Sequence, residues 1–278
     1  MTARILRLYP GPAQDGPVAG TYLAHKLHRL GSASAPFVYA DFVSSLDGRI
    51  ALQDPRTGSS RLPAELRSAN DFRLLLELEA QADCLITHGG YLRAIAAGRL
   101  DDILNVGTRT DTADLAAWRR DNGLLPQPAV VVASASLDFP MPPSLSTSGR
   151  RVIVATGAAT PADERDRLRA RGYEVVAVGR DRWVEGAALI PALAGFGFRS
   201  IFLLAGPRML DTMLRGGVLS RLYLTMVHRL LGGERMDTMI PGPELGASGN
   251  LRLSSMYYDG AALDGVGQWF AQFESHKP

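Results

Sequence analysis

Leu85-Ile86-Thr87-His88-Gly89-Gly90-Tyr91-Leu92-Arg93 and Phe202-Leu203-Leu204-Ala205-Gly206-Pro207-Arg208-Met209-Leu210 decide the fold of this 278-residue chain. Both open on a short apolar run of strand character, pass through small residues and continue as a helix. Pro207 suits a first helical turn, where its missing N–H is not needed. A strand that feeds a helix through a tight glycine turn is half of a βαβ crossover. Two such junctions predict an α/β fold with a mostly parallel sheet and helices on both faces.

Outward from these junctions the alternation continues. Val130-Val131-Val132 and residues 151–155 read as strands, and Thr160-Pro161 opens a helix that Arg171-Gly172 ends. Residues 173–178 are a strand, 185–194 a helix, 200–204 a strand, 207–215 a helix and 221–227 a strand. Upstream, Phe37-Val38-Tyr39-Ala40-Asp41-Phe42-Val43 is nearly all apolar, as a central strand should be. Ser45-Leu46-Asp47-Gly48 turns it, residues 49–52 resume extended structure, and 53–60 form a polar loop. Helical spacing of Leu66, Phe72, Leu75, Leu76 and Leu78 predicts a long helix over 63–81. Residues 251–258 and 268–273 read as strands with no helix between them, which predicts an antiparallel C-terminal hairpin at one sheet edge. Residues 1–35 are turn-rich, with Tyr9-Pro10-Gly11-Pro12 and Asp15-Gly16-Pro17 ahead of a short helix over 21–30. They read as an N-terminal extension, and 36–278 as one domain.

Composition narrows the function classes. A formal net charge of +2 gives no electrostatic reason for nucleic acid or a membrane surface. Arg165, Arg167, Arg169 and Arg171 alternate with Asp163, Glu164 and Asp166, as on a solvated helix face. Cys84 is the single cysteine, so an internal disulfide and a cysteine metal cluster are excluded. His25 and His28 alone read as a solvated helix face, and no metal is expected. No long apolar run predicts a membrane span, and a cytoplasmic protein is expected. The P-loop, the G-x-G-x-x-G fingerprint, H-E-x-x-H and G-x-S-x-G are all missing.

Chemistry is expected at three places. The helix starts at Gly89-Gly90 and Gly206-Pro207 expose unpaired N–H groups and the positive end of the helix dipole. Glycine lets a phosphate approach the backbone closely, and Arg93 and Arg208 add charge. The same glycines are equally read as tight turns of βα units. The third place is Asp41 with Ser45 and Asp47. Asp41 interrupts an apolar strand, so it needs a partner or a pocket. Ser-x-Asp-Gly is also an ordinary β-turn sequence.

These places carry a family resemblance. Phe42-Val43-Ser44-Ser45-Leu46-Asp47-Gly48-Arg49-Ile50-Ala51 resembles the opening strand of the riboflavin-biosynthesis reductase family, the C-terminal domain of the bifunctional deaminase–reductase. Ala82-Asp83-Cys84-Leu85-Ile86-Thr87-His88-Gly89-Gly90-Tyr91 is similar to its second signature. Leu204-Ala205-Gly206-Pro207-Arg208-Met209-Leu210 is similar to its third, and Leu230-Leu231-Gly232-Gly233 to its L-L-G-G. The resemblance implies a dihydrofolate-reductase-like fold and a homodimer using NADPH on a small pyrimidine-like substrate. It implies hydride transfer to the ribose C1′ of 5-amino-6-(5-phosphoribosylamino)uracil. It implies Thr87, Gly89, Gly90, Tyr91, Arg93, Thr156, Gly206, Pro207, Arg208 and Met209 as cofactor residues, with Asp47, Ser45 and Asp41 at the catalytic end.

The chain departs from the family pattern in several places. Ala205 replaces a glutamate, Pro207 a glycine, and Asp41 a lysine or asparagine, while Tyr91 falls near the threonine of the second signature. A zinc deaminase signature is missing. The departures keep two alternatives open: a same-fold reductase of a pteridine-like substrate, and a nucleotide-binding protein without turnover.

Overall fold

A computed structural model describes residues 3–146, 149–204 and 206–275, so Ala205 lies outside the described residues. In chain order the elements are β1 (Arg4–Tyr9), β2 (Gln14–Pro17), β3 (Phe37–Ser45), β4 (Ala51–Gln53), β5 (Ser60–Arg61), α1 (Ala69–Glu79), β6 (Cys84–His88), α2 (Gly89–Ala96) and α3 (Ala113–Asp121). Then come β7 (Ala129–Ala133), α4 (Pro143–Ser146), β8 (Val152–Gly157), α5 (Ala162–Ala170), β9 (Glu174–Val178), α6 (Gly186–Gly195), β10 (Ser200–Leu203) and α7 (Pro207–Arg215). The chain finishes with β11 (Arg221–Val227), β12 (Met236–Asp237), β13 (Leu251–Asp259) and β14 (Gln268–Ser275).

Eleven strands form one sheet in the order β2-β1-β13-β14-β11-β3-β10-β6-β7-β8-β9. From β11 to β9 every pairing is parallel. The pairings from β2 to β11 are antiparallel. The fold is thus the expected α/β arrangement, and the all-apolar runs become its central parallel strands. β7 is buried along its whole length, because helices cover both of its faces. On one face Leu189, Leu193, Leu210 and Met213 of α6 and α7 pack on Ala40, Ile86 and Val131. On the other, Leu74 and Leu78 of α1 and Leu92 of α2 pack on Tyr39, Leu85 and Val130.

Four details differ from the sequence reading. The C-terminal hairpin is not at an edge, because β1 pairs with β13 and β2 extends the sheet further. The opening residues therefore contribute two strands to the sheet. Ile5, Val18, Tyr22 and Leu27 are buried in the core shared with α1. The expected helix over 21–30 is two single 3₁₀ turns, Leu23–His25 and Leu27–Arg29, separated by Lys26 in the left-handed region at φ 50°. The helix over 63–81 shortens to α1, because Arg67 is extended and Ser68 caps the start, accepting a hydrogen bond from the Asp71 N–H at 3.0 Å. Sequence reading also missed α3, whose apolar stripe is thin: of its nine residues Leu115 and Arg119 are the buried ones.

Candidate functional site

β10 and β6 lie side by side and parallel, with Leu203 opposite Ile86. The helices that follow them leave on opposite faces, α7 to one core and α2 to the other. Such a switch in direction opens a crevice beyond the strand ends, where neither connection can cover it. The structure has a groove there of about 1150 Å³. One wall is His88, Gly89, Gly90 and Arg93, and the facing wall is Gly206, Pro207, Arg208 and Met209. The segment after β7, Ala133 to Ser136, continues the first wall, since Ala133 pairs with His88. Trp183, Val184, Glu185, Met236, Asp237 and Thr238 also line it.

His88 organises this site. Its Nδ1 caps α2 by accepting the Tyr91 N–H at 3.3 Å. Burial lowers its pKa, with the Arg93 charge adding to the effect, so the ring is held neutral and able to accept. A Cβ on Gly90 would come within 2.8 Å of that Nδ1, so glycine is what admits the ring. A Cβ on Gly89 would press on Phe139 and Ser134, both at 3.1 Å. A Cβ on Gly206 would have only His88 Nε2 near it, at 3.5 Å, so a ligand can reach the backbone there. Arg93 donates to the carbonyl of Asp138 and still lines the groove. The Arg208 guanidinium lies 4.9 Å from the ring centre of Trp183, a side chain 59% exposed.

Of the residues expected to hold a cofactor, Gly89, Gly90, Arg93, Gly206, Pro207, Arg208 and Met209 line the groove. Thr87, Tyr91 and Thr156 are not among its lining residues. Thr87 is fully buried, and Thr156 shares a 2.7 Å hydrogen bond with Thr160 inside the core. The Tyr91 hydroxyl donates to the Asp101 carbonyl at 2.8 Å and fastens the loop after α2.

Ser45 and Asp47 lie outside the groove lining and are occupied by the turn they form. The Asp47 carboxylate accepts from the Ser45 hydroxyl, from Arg49, from Gly232 N–H at 2.9 Å and from Leu231 N–H at 3.2 Å. Desolvation acts to raise its pKa, but the bonds from Ser45, Gly232 and Leu231 and the Arg49 charge outweigh it and hold the pKa at about 2. Asp47 is therefore an ionised staple between the turn after β3 and the Leu230-Leu231-Gly232-Gly233 segment. Asp41 is half-buried on the face that α1 covers, opposite Tyr223 of β11. Burial and the neighbouring Asp71 raise its pKa well above the carboxylate range.

His25 and His28 do not share a ligand position. His25 bonds the Tyr223 hydroxyl at 3.0 Å, while His28 packs edge-on against Trp118. Among the described residues no group of three or more His, Cys, Asp or Glu could hold a metal, and no helix is long and apolar enough to cross a membrane. The groove suits a dinucleotide: it is large, two helix starts and two arginines face it, and Gly206 leaves its backbone open.

The model of the RibD C-terminal domain family matches residues 36–263. The chain belongs to this family. It is similar to the 2,5-diamino-6-ribosylamino-4(3H)-pyrimidinone 5′-phosphate reductase of Aquifex aeolicus, with 24% identity over 238 residues, 84% of this chain and 96% of that protein. Among solved structures, a pyrimidine reductase-like protein of Corynebacterium diphtheriae superposes with a TM-score of 0.59 at 18% identity, covering 87% of this chain and 93% of that one. The riboflavin biosynthesis reductase Rib7 of Saccharomyces cerevisiae gives 0.57 at 14% identity, covering 92% and 99%. These structures share the α/β architecture with a mostly parallel sheet that the sequence predicts. Sequence reasoning missed His88, the Ala133 to Ser136 segment, Trp183 and Asp71. The small residues directly after Val130-Val131-Val132 carried a signal, since they follow a parallel strand. Trp183 carried none.

Proposed function

We propose that this RibD C-terminal protein is an NADPH-dependent reductase of riboflavin biosynthesis acting on a ribosylaminopyrimidine phosphate. The observation that carries the reading is the pair of helix starts, from opposite faces of the sheet, opening on one groove with Arg93 and Arg208 at its walls. The Aquifex relative, named for a pyrimidinone 5′-phosphate reductase, supports the substrate class. Bound NADPH would supply the hydride, delivered to the ribose C1′ with opening of the sugar to a ribityl chain.

The protein's own work is then positioning. Gly206 lets the diphosphate approach the backbone, the helix start at Gly89-Gly90 adds the positive end of its dipole, and Arg93 and Arg208 balance the charge. Neutral His88 keeps the first turn of α2 in place. Asp47 and Ser45 hold the turn that ends β3; an acid with a pKa near 2 donates no proton at neutral pH. Thr156, bonded to Thr160, braces the end of β8. The family resemblance alone supports a homodimer working in the cytoplasm, which light scattering and fractionation would check.

Titration with NADPH, followed by loss of its absorbance with 5-amino-6-(5-phosphoribosylamino)uracil or its 2,5-diamino counterpart, tests the proposal. Saturable binding and turnover of one pyrimidine are expected. Failure to bind NADPH rejects the reading, and binding without turnover of either compound reduces the protein to a nucleotide binder.

A further inference from the structure

Trp183 lines the groove while 59% exposed, whereas Trp118 and Trp269 are half-buried. Leaving an indole in water forgoes the gain of burying a large apolar surface. Loose backbone does not put it there. The Arg182 carbonyl accepts the Gly157 N–H at 3.1 Å, and the Asp181 carbonyl accepts the Ala159 N–H at 3.1 Å. A Cβ on Gly157 would lie 2.0 Å from the Asp181 oxygen, so this loop rests directly on the end of β8. The Arg182 guanidinium holds Glu164 at 3.0 Å and the Ala135 carbonyl at 3.3 Å. On the other side of the indole, Val184 is buried with α6 and α7, and the Gly186 N–H donates to the Thr212 hydroxyl at 3.0 Å. The chain is fastened on both sides, and the ring between them faces the groove.

Arg208 supplies an independent observation. It stands in the first turn of α7, and among the described residues it makes no hydrogen bond and no ion pair. The carboxylates that share the groove wall are occupied elsewhere. Asp211 pairs with Arg215 at 2.9 Å, and Glu185 accepts the Arg180 N–H at 2.9 Å. Arg208 instead overlies the Trp183 ring at 4.9 Å, and an indole face holds a guanidinium without neutralising it. An aromatic plane and an uncommitted cation thus stand side by side, matched to the base and the phosphate of a nucleotide.

We propose that Trp183 is the stacking platform for the adenine ring of the coenzyme, and that Arg208 leaves the indole for the coenzyme's phosphates when the purine binds. The strand order decides which of the two bases is taken. The sheet runs β3-β10-β6-β7-β8, so the strand that ends at the Asp47 turn and the strand that carries the Trp183 loop are four spacings apart, about 19 Å. The helix starts suited to a diphosphate follow β10 and β6, between these two. A dinucleotide laid across the strand ends with its nicotinamide toward β3 carries its adenine toward β8. Naming the ligand as NADPH rests on the proposed reductase function. Such a stack is made equally before and during hydride transfer, so its loss raises KM and leaves kcat.

Fluorescence and calorimetry on the full chain with 5′-ADP, nicotinamide mononucleotide and NADPH test it. 5′-ADP is expected to quench tryptophan emission, and the quench is expected to vanish in W183F although Trp118 and Trp269 still emit. W183A should weaken 5′-ADP and NADPH alike, by about tenfold, and leave nicotinamide mononucleotide unchanged. W183F keeps a ring and should recover most of that loss. In turnover, W183A should raise KM for NADPH by about tenfold with kcat unchanged. Thermal melting should be the same in all three proteins. Absence of 5′-ADP binding to the wild type, 5′-ADP affinity unchanged in W183A, a quench that persists in W183F, or an equal loss for nicotinamide mononucleotide would overturn the platform. Binding of 5′-ADP that depends on Trp183, in a protein that reduces neither pyrimidine, would leave the platform standing and remove the reductase. NADPH-dependent turnover with KM unchanged in W183A would do the reverse.

Discussion

Replacing Glu79 with glutamine should make the protein more stable, and increasingly so as the pH rises. Glu79 ends α1 and is 1% exposed, and neither carboxyl oxygen has a hydrogen-bond partner among the described residues. Two arginines are near but spent elsewhere. Arg119 donates to the carbonyls of Ala80 and Ala82, both at 2.9 Å, and Arg150 to that of Leu104 at 2.6 Å. Burial pushes the Glu79 pKa from 4.5 to about 8, against the opposing charges of Arg150 and Arg119. Below the unfolded value both states hold the proton, and the acid costs nothing extra. Between pH 4.5 and about 8 the unfolded chain releases the proton while the folded chain keeps it, so stability falls as pH rises. At roughly 1.4 kcal/mol per pH unit this amounts to about 3 kcal/mol by pH 7. Glutamine has nearly the same shape and cannot ionise. Urea unfolding of both proteins should give a difference that is small at about pH 5 and grows by about 3 kcal/mol toward pH 8. Asp41 and Asp71 titrate in both proteins and cancel in the difference. A gap between the two curves that stays constant with pH would refute the assignment of a neutral, buried Glu79.

Other outcomes follow from the site. G90V should displace His88, whose Nδ1 would lie 2.8 Å from the new Cβ, and weaken NADPH binding by about tenfold or more in a fluorescence titration. G206A meets nothing closer than 3.5 Å, so it should fold with an unchanged melting temperature while its methyl group obstructs the cofactor backbone contact and lowers affinity. R208A should weaken NADPH binding by about tenfold, and raised salt should cost the wild type more affinity than the variant. D47N should cost about 1 to 2 kcal/mol at neutral pH, because the amide loses the charge and keeps one acceptor oxygen for the bonds that Gly232, Leu231 and Arg49 give. The wild type has that stabilisation above pH 3.8 and loses it as the pH falls through about 2, so acid unfolding should show the D47N deficit closing.

The amino-acid order by itself determined the parallel half of the sheet. Apolar runs separated by glycine junctions can bury both strand faces only beneath helices, and Leu85 to Arg93 and Phe202 to Leu210 fold as that rule requires. It also determined the groove walls at Gly89-Gly90 and Gly206-Pro207, since the end of a parallel strand and the start of its helix are adjacent in the chain. Everything that depends on strands far apart in sequence was left to tertiary structure. Whether α2 and α7 take the same or opposite faces is not written in either junction, and that choice is what opens the crevice. β1 joins the sheet only because β13, about 250 residues later, offers it an unpaired edge. Asp47 reads as a candidate acid until the backbone N–H groups of Leu231 and Gly232 are brought against it, and Asp41 reads as a lone charge until α1 sets Asp71 beside it. A side chain's type fixes what it can donate, accept or ionise. Its burial and its partners fix which of these it does, and those come from packing between distant segments.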